Sequence, residues 1–196
     1  VGWGDNTGGK LGNGRTASTS LPSSNDYFGT MAAGGLEHSL IVNQGRVSSM
    51  GLDTAGQLGT TGYAVGCAVT GLSGSFLCQP YPVDVGLARI VGIGAGWRHS
   101  LALASDGSVW AWGDNTFGEC NVPPLPGGTT YTDVSASIEH TVALRSDGQV
   151  VAFGVNTFGQ CNIPPLPAGL QYVGVSAGHQ RTVLLRSDGS VVRFGT

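Results

Sequence analysis

Apolar and polar residues alternate in short runs along most of this 196-residue chain. The stretch LALASDGSVWAW at 101–112 is typical, since two largely apolar runs flank an Asp-Gly pair. Alternation over about four to eight residues indicates half-buried β-strands. Asp-Gly between two such runs predicts a tight hairpin, because both central turn residues then need a positive φ. No stretch has the period of about 3.6 residues that a helix requires, so the pattern predicts an all-β fold.

The second half of the chain contains one unit written twice. The ranges 109–149 and 150–190 are both 41 residues long and are identical at most positions. Self-similarity with a period near 40 residues is typical of solenoids and propellers, in which each unit stacks on a neighbour to bury its apolar face. A residue present in every unit is therefore expected to serve the framework first.

Three landmarks extend the repeat to the whole chain. A large residue followed by Gly ends a strand at Trp3, Met50, Trp112, Phe153 and Phe194. A second strand begins at a position that is basic in every unit, namely His38, His99, His140 and Arg181. The third landmark is the turn, NQG at 43–45 and SDG at 105–107, 146–148 and 187–189. Each unit thus reads as four short strands, and repeated units of this kind predict a β-propeller of four-stranded blades.

The units are expected to form a single propeller domain over 1–196. Their approximate bounds are 1–46, 47–108, 109–149 and 150–190, with a fifth unit beginning at 191–196. Length variation is confined to one loop, where the second unit carries a long insertion. Insertions limited to one loop are expected at the rim or on one face of the propeller.

Composition narrows the range of partners. The net charge is −3, charged residues make up 11% of the chain, and Lys10 is its one lysine. Such a surface does not favour phosphate backbones, so no direct nucleic-acid partner is expected. No apolar run approaches the length of about 18 residues that spans a membrane, so no membrane span is expected either.

The four cysteines form two pairs. Cys120 and Cys161 occupy the same position of the twin units and are expected to be small, buried apolar sites. Cys67 and Cys78 flank the insertion CAVTGLSGSFLC, and two interpretations stay open: a disulfide that closes this loop, or two free thiols. The disulfide would favour a secreted over a cytoplasmic location. Neither pair has CxxC spacing, so no metal site is expected.

Four segments of the chain resemble a known repeat family. The segments WGDNTGGKLGNG at 3–14, GLDTAGQLG at 51–59, GAGWRHSLALASDGSVWAWGDN at 94–115 and SIEHTVALRSDGQVVAFG at 137–154 resemble the regulator of chromosome condensation repeat. The resemblance covers nearly the whole chain and implies a seven-bladed propeller. The segments NTFGECNVP and NTFGQCNIP also resemble the short repeats of propeller-type β-lactamase inhibitors.

The unit count predicts that the chain is a fragment. The strand VGWG at 1–4 corresponds to VVRFG at 191–195, four units later, so a ring closed after four units would carry this strand once too often. We therefore expect four repeats and part of a fifth from a larger propeller, for which the resemblance implies seven blades.

The residues just before the basic position are the candidates for partner binding. They differ from unit to unit, and variable bulky or charged residues on a rigid β scaffold are typical of a binding surface. Trp97 and Arg98 are the strongest anchor by residue type, although Trp97 would equally suit a place between blades. The four pairs are Leu36–Glu37, Trp97–Arg98, Ile138–Glu139 and His179–Gln180.

The basic position itself has two interpretations. His38, His99 and His140 each precede Ser or Thr, a repetition that favours a framework role in which the imidazole hydrogen-bonds a neighbouring blade. The family resemblance instead implies binding, because histidines of this position help to engage the small GTPase Ran. Arg181 departs from the pattern.

No catalytic residue or cofactor is predicted. No unit supplies a distinguishable nucleophile with a base and an orienting acid. The Gly-rich run at 92–96 precedes a strand, whereas a dinucleotide-binding loop must precede a helix.

The sequence therefore predicts a non-catalytic scaffold that binds a protein partner. Two alternatives stay open. One is a guanine-nucleotide exchange factor for a Ran-like GTPase, and the other is an inhibitor of a secreted enzyme, which the short repeats at 114–124 and 155–165 suggest.

Overall fold

The computed structural model describes residues 2–13, 15–23, 28–60, 65–68 and 75–196. Within these ranges no helix is long and apolar enough to cross a bilayer. A short 3-10 turn covers Thr7–Gly9. The strands are β1 (Gly2–Gly4), β2 (Thr19–Ser23), β3 (Met31–Gly34), β4 (His38–Asn43), β5 (Arg46–Leu52), β6 (Val65–Ala68), β7 (Ser75–Asp84), β8 (Ile90–Ala95), β9 (His99–Ala104), β10 (Val109–Gly113), β11 (Tyr131–Ala136), β12 (His140–Arg145), β13 (Val150–Gly154), β14 (Tyr172–Gly178), β15 (Arg181–Arg186) and β16 (Val191–Gly195).

The strands form successive antiparallel sheets, so the all-β prediction is confirmed. The orders are β1-β2, β3-β4-β5-β7-β6, β8-β9-β10, β11-β12-β13 and β14-β15-β16. Val109 begins β10 and Val150 begins β13, so each sequence unit opens with the last strand of one sheet and continues into the next. The sequence repeat is therefore offset from the structural one.

The number of strands differs between sheets. The first large sheet has the four expected strands, β3-β4-β5-β7, and β6 is added at its edge. The last three sheets have three strands each. In the two that end with β10 and β13, the segments after Gly113 and Gly154 form turns and irregular chain instead of an outer strand. Consecutive prolines lack the N–H groups that a ladder needs. The turn is closed by side chains instead, with the Asn115 amide donating to Asn121 Oδ1 at 2.9 Å.

The hairpin turns lie at the predicted positions, but they are of two types. Gln44 and Gly45 both have positive φ, 49° and 74°, as the sequence analysis expects for a tight hairpin. At the SDG turns only the glycine has positive φ, for example 82° at Gly107. There the Asp106 carboxylate accepts the Ser108 N–H at 2.9 Å. Asp favours this local side-chain bond to the backbone two residues on, so it needs no left-handed conformation.

The insertion of the second unit forms the β6–β7 hairpin at the edge of the first large sheet. Cys78 in β7 is fully buried and is bonded in a disulfide. The side chain of its expected partner, Cys67, lies outside the described residues, so this pairing stays a prediction.

Along a middle strand, successive side chains point alternately towards the preceding and the following sheet. They form a layer of hydrophobic core where two sheets meet. On β9, Ala102 and Ala104 pack against the preceding sheet. Leu101 and Leu103 point the other way and pack with Tyr131 of the following sheet. Each buried leucine contributes roughly 1.5–3 kcal/mol of apolar burial. Two-sided burial of a middle strand is the packing of neighbouring propeller blades.

A repeated set of hydrogen bonds, which we call the histidine clamp, ties each sheet to the next. His99 Nε2 lies 3.0 Å from the Thr141 hydroxyl on the middle strand of the following sheet. The same hydroxyl donates to the carbonyl oxygen of Glu119, in the loop after β10, at 2.8 Å. Equivalent clamps join His38, Ser100 and the Gln57 carbonyl, and His140, Thr182 and the Gln160 carbonyl.

The clamp fixes the protonation of its imidazole. The hydroxyl has one proton and donates it to the carbonyl, so it must accept from Nε2–H of the histidine. His38, His99 and His140 are fully buried, and their Nδ1 atoms have no hydrogen-bond partner. Burial lowers the pKa of each imidazole from 6.5 to about 4, so all three are neutral at pH 7.

The large residue–Gly landmark is explained by the close approach between the end of the third strand and the clamp histidine. Gly113 ends β10 with φ 104°, and a Cβ there would lie 2.3 Å from the Arg98 carbonyl oxygen and 2.9 Å from His99 Cα. Only glycine combines this backbone conformation with such a close approach. The third strand can therefore end directly on the residue that forms the clamp.

Replacing Thr141 by Val should destabilise the protein by about 2 kcal/mol, because the His99 N–H and the Glu119 carbonyl then lose their buried partner. Urea unfolding measures the change. Thr132→Val is the matched control, since this exposed threonine makes a hydrogen bond of only 3.4 Å. Equal losses in the two variants would show that the clamp does not stabilise the fold.

The clamps also predict instability in mild acid. The folded-state pKa of about 4 lies below the usual 6.5, so the unfolded chain binds protons first as the pH falls. Stability is fully present above about pH 6.5 and is lost towards pH 4, by up to about 3 kcal/mol per clamp histidine. Free energies of unfolding measured from pH 7.5 to 5 test this. His99→Gln should flatten the slope, whereas the exposed His179→Gln should not; an unchanged slope in both would contradict the prediction.

Candidate functional site

The loops between the first and second strands of four sheets bring the variable pairs to one end of the molecule. The first members of the pairs come from four different sheets and line one shallow depression of about 330 Å³, together with glycines and alanines of the inner strands. The small residues keep the floor open. We call this surface the loop face; its four central residues are Leu36, Trp97, Ile138 and His179.

Glu37 organises the first half of the loop face. Arg98 donates to both carboxylate oxygens, from Nε at 3.1 Å and from Nη2 at 3.2 Å. The Trp97 indole N–H donates at 3.2 Å, and the Thr54 hydroxyl donates at 3.1 Å. A bidentate pair between a carboxylate and a guanidinium is among the stronger polar contacts in proteins. Glu37 therefore fixes both residues of the neighbouring loop.

Trp97 and Arg98 form one half-buried unit between two sheets. The Arg98 guanidinium carbon lies 5.0 Å from the centroid of the Trp97 ring, within the range of a cation–π contact. Trp97 contributes to the depression and also to a second pocket. The two interpretations of Trp97, surface anchor and interblade packing, thus describe different edges of one side chain.

The second pocket lies between the sheets β8-β9-β10 and β11-β12-β13 and has a volume of about 210 Å³. Three carboxylates line it, those of Asp114, Glu119 and Glu139. Trp97 and Phe117 provide aromatic walls. We call it the acidic pocket.

Glu119 is the residue that sequence analysis missed. Only 2% of its surface is exposed, and its Oε2 accepts the Phe117 N–H at 2.8 Å. Gln57 and Gln160 occupy the same position in neighbouring units and make the same bond, the latter to the Phe158 N–H at 2.9 Å. The signal was present in the twin units as GECN against GQCN. Burial raises the pKa of the Glu119 carboxyl above its usual value.

The basic position separates into two environments. His38, His99 and His140 are fully buried in the clamps and reach no surface. Arg181 is exposed, and its Nε donates to the Thr196 carbonyl oxygen at 3.2 Å. The pairs before this position are exposed or half-buried, so the structure separates the clamp residues from the loop face.

Little in the described residues suits covalent or metal chemistry. Cys120 and Cys161 are free and half-buried, and burial raises the pKa of their thiols to about 12 and about 11. Protonated thiols are weak nucleophiles. The described His, Cys, Asp and Glu side chains form no group of three with the geometry of a metal site.

Glu37→Gln should weaken the bidentate contact to Arg98 and lower stability by about 1–2 kcal/mol, since one charged partner is lost at a half-exposed site. It should also shift the Trp97 indole N–H resonance. Glu139→Gln is the matched control, because Glu139 occupies the same position two sheets on and its carboxylate makes no hydrogen bond or ion pair within the described residues. NMR spectra and urea unfolding of both variants test this; equal changes would show that the Glu37 contacts do not hold the loop.

Known proteins share these features. A sequence profile described as the regulator of chromosome condensation (RCC1) repeat matches residues 90–119 and 131–160. The ultraviolet-B receptor UVR8 of Arabidopsis thaliana is 32% identical over 129 residues, which cover 62% of this chain and 26% of that protein. The resemblance to β-lactamase inhibitors stays a prediction.

Solved structures show the same fold. Prp20p of Saccharomyces cerevisiae has a TM-score of 0.69 at 22% identity, over 89% of this chain and 47% of that one. Human WBSCR16 has a TM-score of 0.68 at 20% identity, over 88% and 50% of the two chains. The chain thus spans about a quarter of the curated relative and about half of each solved structure. The chain thus carries repeats that match the RCC1-repeat profile, and its stacked sheets have the β-propeller fold of these structures.

Proposed function

We propose that this chain is a non-catalytic scaffold that binds a protein partner through the loop face. One observation carries the proposal: pairs that vary between otherwise similar units gather from four sheets around a single depression. Variable residues on a shared rigid scaffold are typical of recognition surfaces. The pairs are Leu36–Glu37, Trp97–Arg98, Ile138–Glu139 and His179–Gln180.

The chemistry of the loop face supports this proposal. Leu36 is 56% exposed although it is apolar, and Ile138 and Trp97 are half-buried beside it. Protein interfaces favour an apolar centre with aromatic and Arg residues, surrounded by polar groups. Because Glu37 already holds Trp97 and Arg98 in place, binding would cost little side-chain entropy at this anchor.

The structural relatives add support at the level of the fold. Prp20p is described with binding properties to Gsp1p and histones, and the same yeast protein has been solved bound to Kap60. Propellers of this type therefore include proteins that act by binding other proteins. Guanine-nucleotide exchange and enzyme inhibition stay predictions from the sequence, because no contact among the described residues favours either.

The proposal predicts that the loop face is needed for partner capture. Replacing Leu36, Trp97 and Ile138 together by Ala should reduce captured partners at least tenfold, because the apolar centre of the interface is lost. Quantitative mass spectrometry of pull-downs from the source cells, with wild-type and variant chains, measures the loss.

The control variant is Val91→Ser with Val173→Ser. Both valines are exposed, and they lie near the opposite ends of the inner strands β8 and β14. Proteins that are lost with the Ala variant and kept with this control are partners of the loop face. If every captured protein survives the Ala variant, or if both variants lose the same proteins, the loop face is not the binding surface.

A further inference from the structure

The acidic pocket has a charge arrangement that the fold itself does not require. At the preceding contact, between the sheet that contains β4 and the sheet β8-β9-β10, the equivalent positions are Glu37 and Arg98, which form an ion pair. One unit on, Arg98 stands where Glu37 stood, and Glu139 stands where Arg98 stood. Arg98 is therefore flanked by two glutamates, one on each side.

Arg98 forms an ion pair with only one of these two glutamates, Glu37. Its Nε and Nη2 both donate to Glu37, and its guanidinium lies 5.0 Å from the Trp97 ring. The Glu139 carboxylate makes no hydrogen bond or ion pair among the described residues, and the residue is bonded only through its backbone carbonyl, which accepts the Val155 N–H. It lines the acidic pocket beside Asp114 and Glu119. The pocket thus holds three carboxylates, and the one cation that borders it is already paired.

Glu119 is a second and independent observation that points to a positively charged ligand. It is almost completely buried, and its Oε2 is bonded to the Phe117 N–H. Within the described part of the chain, its other oxygen, Oε1, makes no hydrogen bond to another residue, and the carboxyl lines the pocket. Gln57 and Gln160 show that an uncharged amide closes the same turn. Burial raises the pKa of the Glu119 carboxyl, so a positive group that enters the pocket would stabilise its charged form.

The shape of the pocket narrows the choice of that group. Pockets for drug-sized molecules usually measure about 300–1,000 Å³, and this one has about 210 Å³, which suits the end of one side chain. No described group of three acidic, His or Cys side chains has metal-site geometry, which disfavours a bare metal ion. The walls include Trp97 and the exposed ring of Phe117. A planar cation can stack on such rings while it bonds carboxylates on both sides.

We propose that the acidic pocket receives an arginine side chain of the protein partner, with its guanidinium placed between Glu119 and Glu139. Arg98 already shows within this chain how a guanidinium is held, by a carboxylate and an aromatic ring. The inference depends on the proposed function only in that the partner is a protein. Its test therefore uses a small probe and no partner.

The test is an NMR titration of the full, isotope-labelled chain with N-acetyl-arginine methylamide. The capped citrulline of the same length is the neutral counterpart, and capped lysine is the compact cation. We expect saturable shifts at the Trp97 indole and the Phe117 amide, with a Kd on the order of millimolar for arginine. Citrulline should bind at least tenfold more weakly.

The chain offers matched variants. Glu119→Gln installs the residue that Gln57 and Gln160 already show to be tolerated. Glu139→Gln changes a half-buried carboxylate that makes no hydrogen bond to any residue the structure describes. Each should weaken arginine binding at least about fivefold. Asp106→Asn removes the same charge from an exposed turn at the other end of the sheet and should leave binding unchanged.

Each alternative outcome has a definite meaning. Equal binding of arginine and citrulline, or wild-type binding by both glutamate variants, would overturn the proposal. Lysine binding as tightly as arginine would overturn the assignment to a guanidinium. Arginine binding that persists in a chain whose loop face captures no partner would refute the proposed function and leave this site in place.

Discussion

The structure depends on the histidine clamp. In it, one buried hydroxyl accepts a hydrogen bond from an imidazole of the preceding sheet and donates one to a backbone carbonyl in the loop after that sheet's third strand. Apolar packing alone would let neighbouring sheets slide, because the hydrophobic effect has no direction. The clamp adds direction. It recurs at successive sheet contacts, and burial keeps its imidazoles neutral at pH 7. The buried Nδ1 atoms have no hydrogen-bond partner, so a proton added there would create a buried charge that nothing stabilises.

The clamp also positions the candidate binding surface. Each clamp histidine follows directly after a variable pair, as His99 follows Trp97 and Arg98. A loop anchored this firmly at one end can change its exposed residues without disturbing the sheet contacts. The residues that hold the sheets together and the candidate binding residues are thus adjacent in the sequence, and they differ in burial.

Differences between equivalent positions concentrate charge where the fold does not need it. Glu37 and Glu139 occupy equivalent positions, yet Glu37 has four close donors and Glu139 has none within the described residues. Glu119 carries a charge where Gln57 and Gln160 carry an amide. These two departures meet in one pocket because the repeat stacks adjacent units side by side. Function in a repeat protein is expected at such departures.

The sequence by itself determined the all-β class, the 41-residue period and the hairpin positions, because hydrophobic alternation and turn residues act locally. It left two roles open for His38, His99 and His140, and their burial favours the framework role. It overestimated the outer strands of the two sheets that end with β10 and β13, since hydrogen bonds between Asn side chains closed those turns instead. It also missed Glu119, whose single difference between twin units looked conservative. Only the tertiary structure decided which of two glutamates Arg98 would pair with and which carboxylates would share a pocket. Those outcomes depend on distances between sheets, and no local pattern contains them.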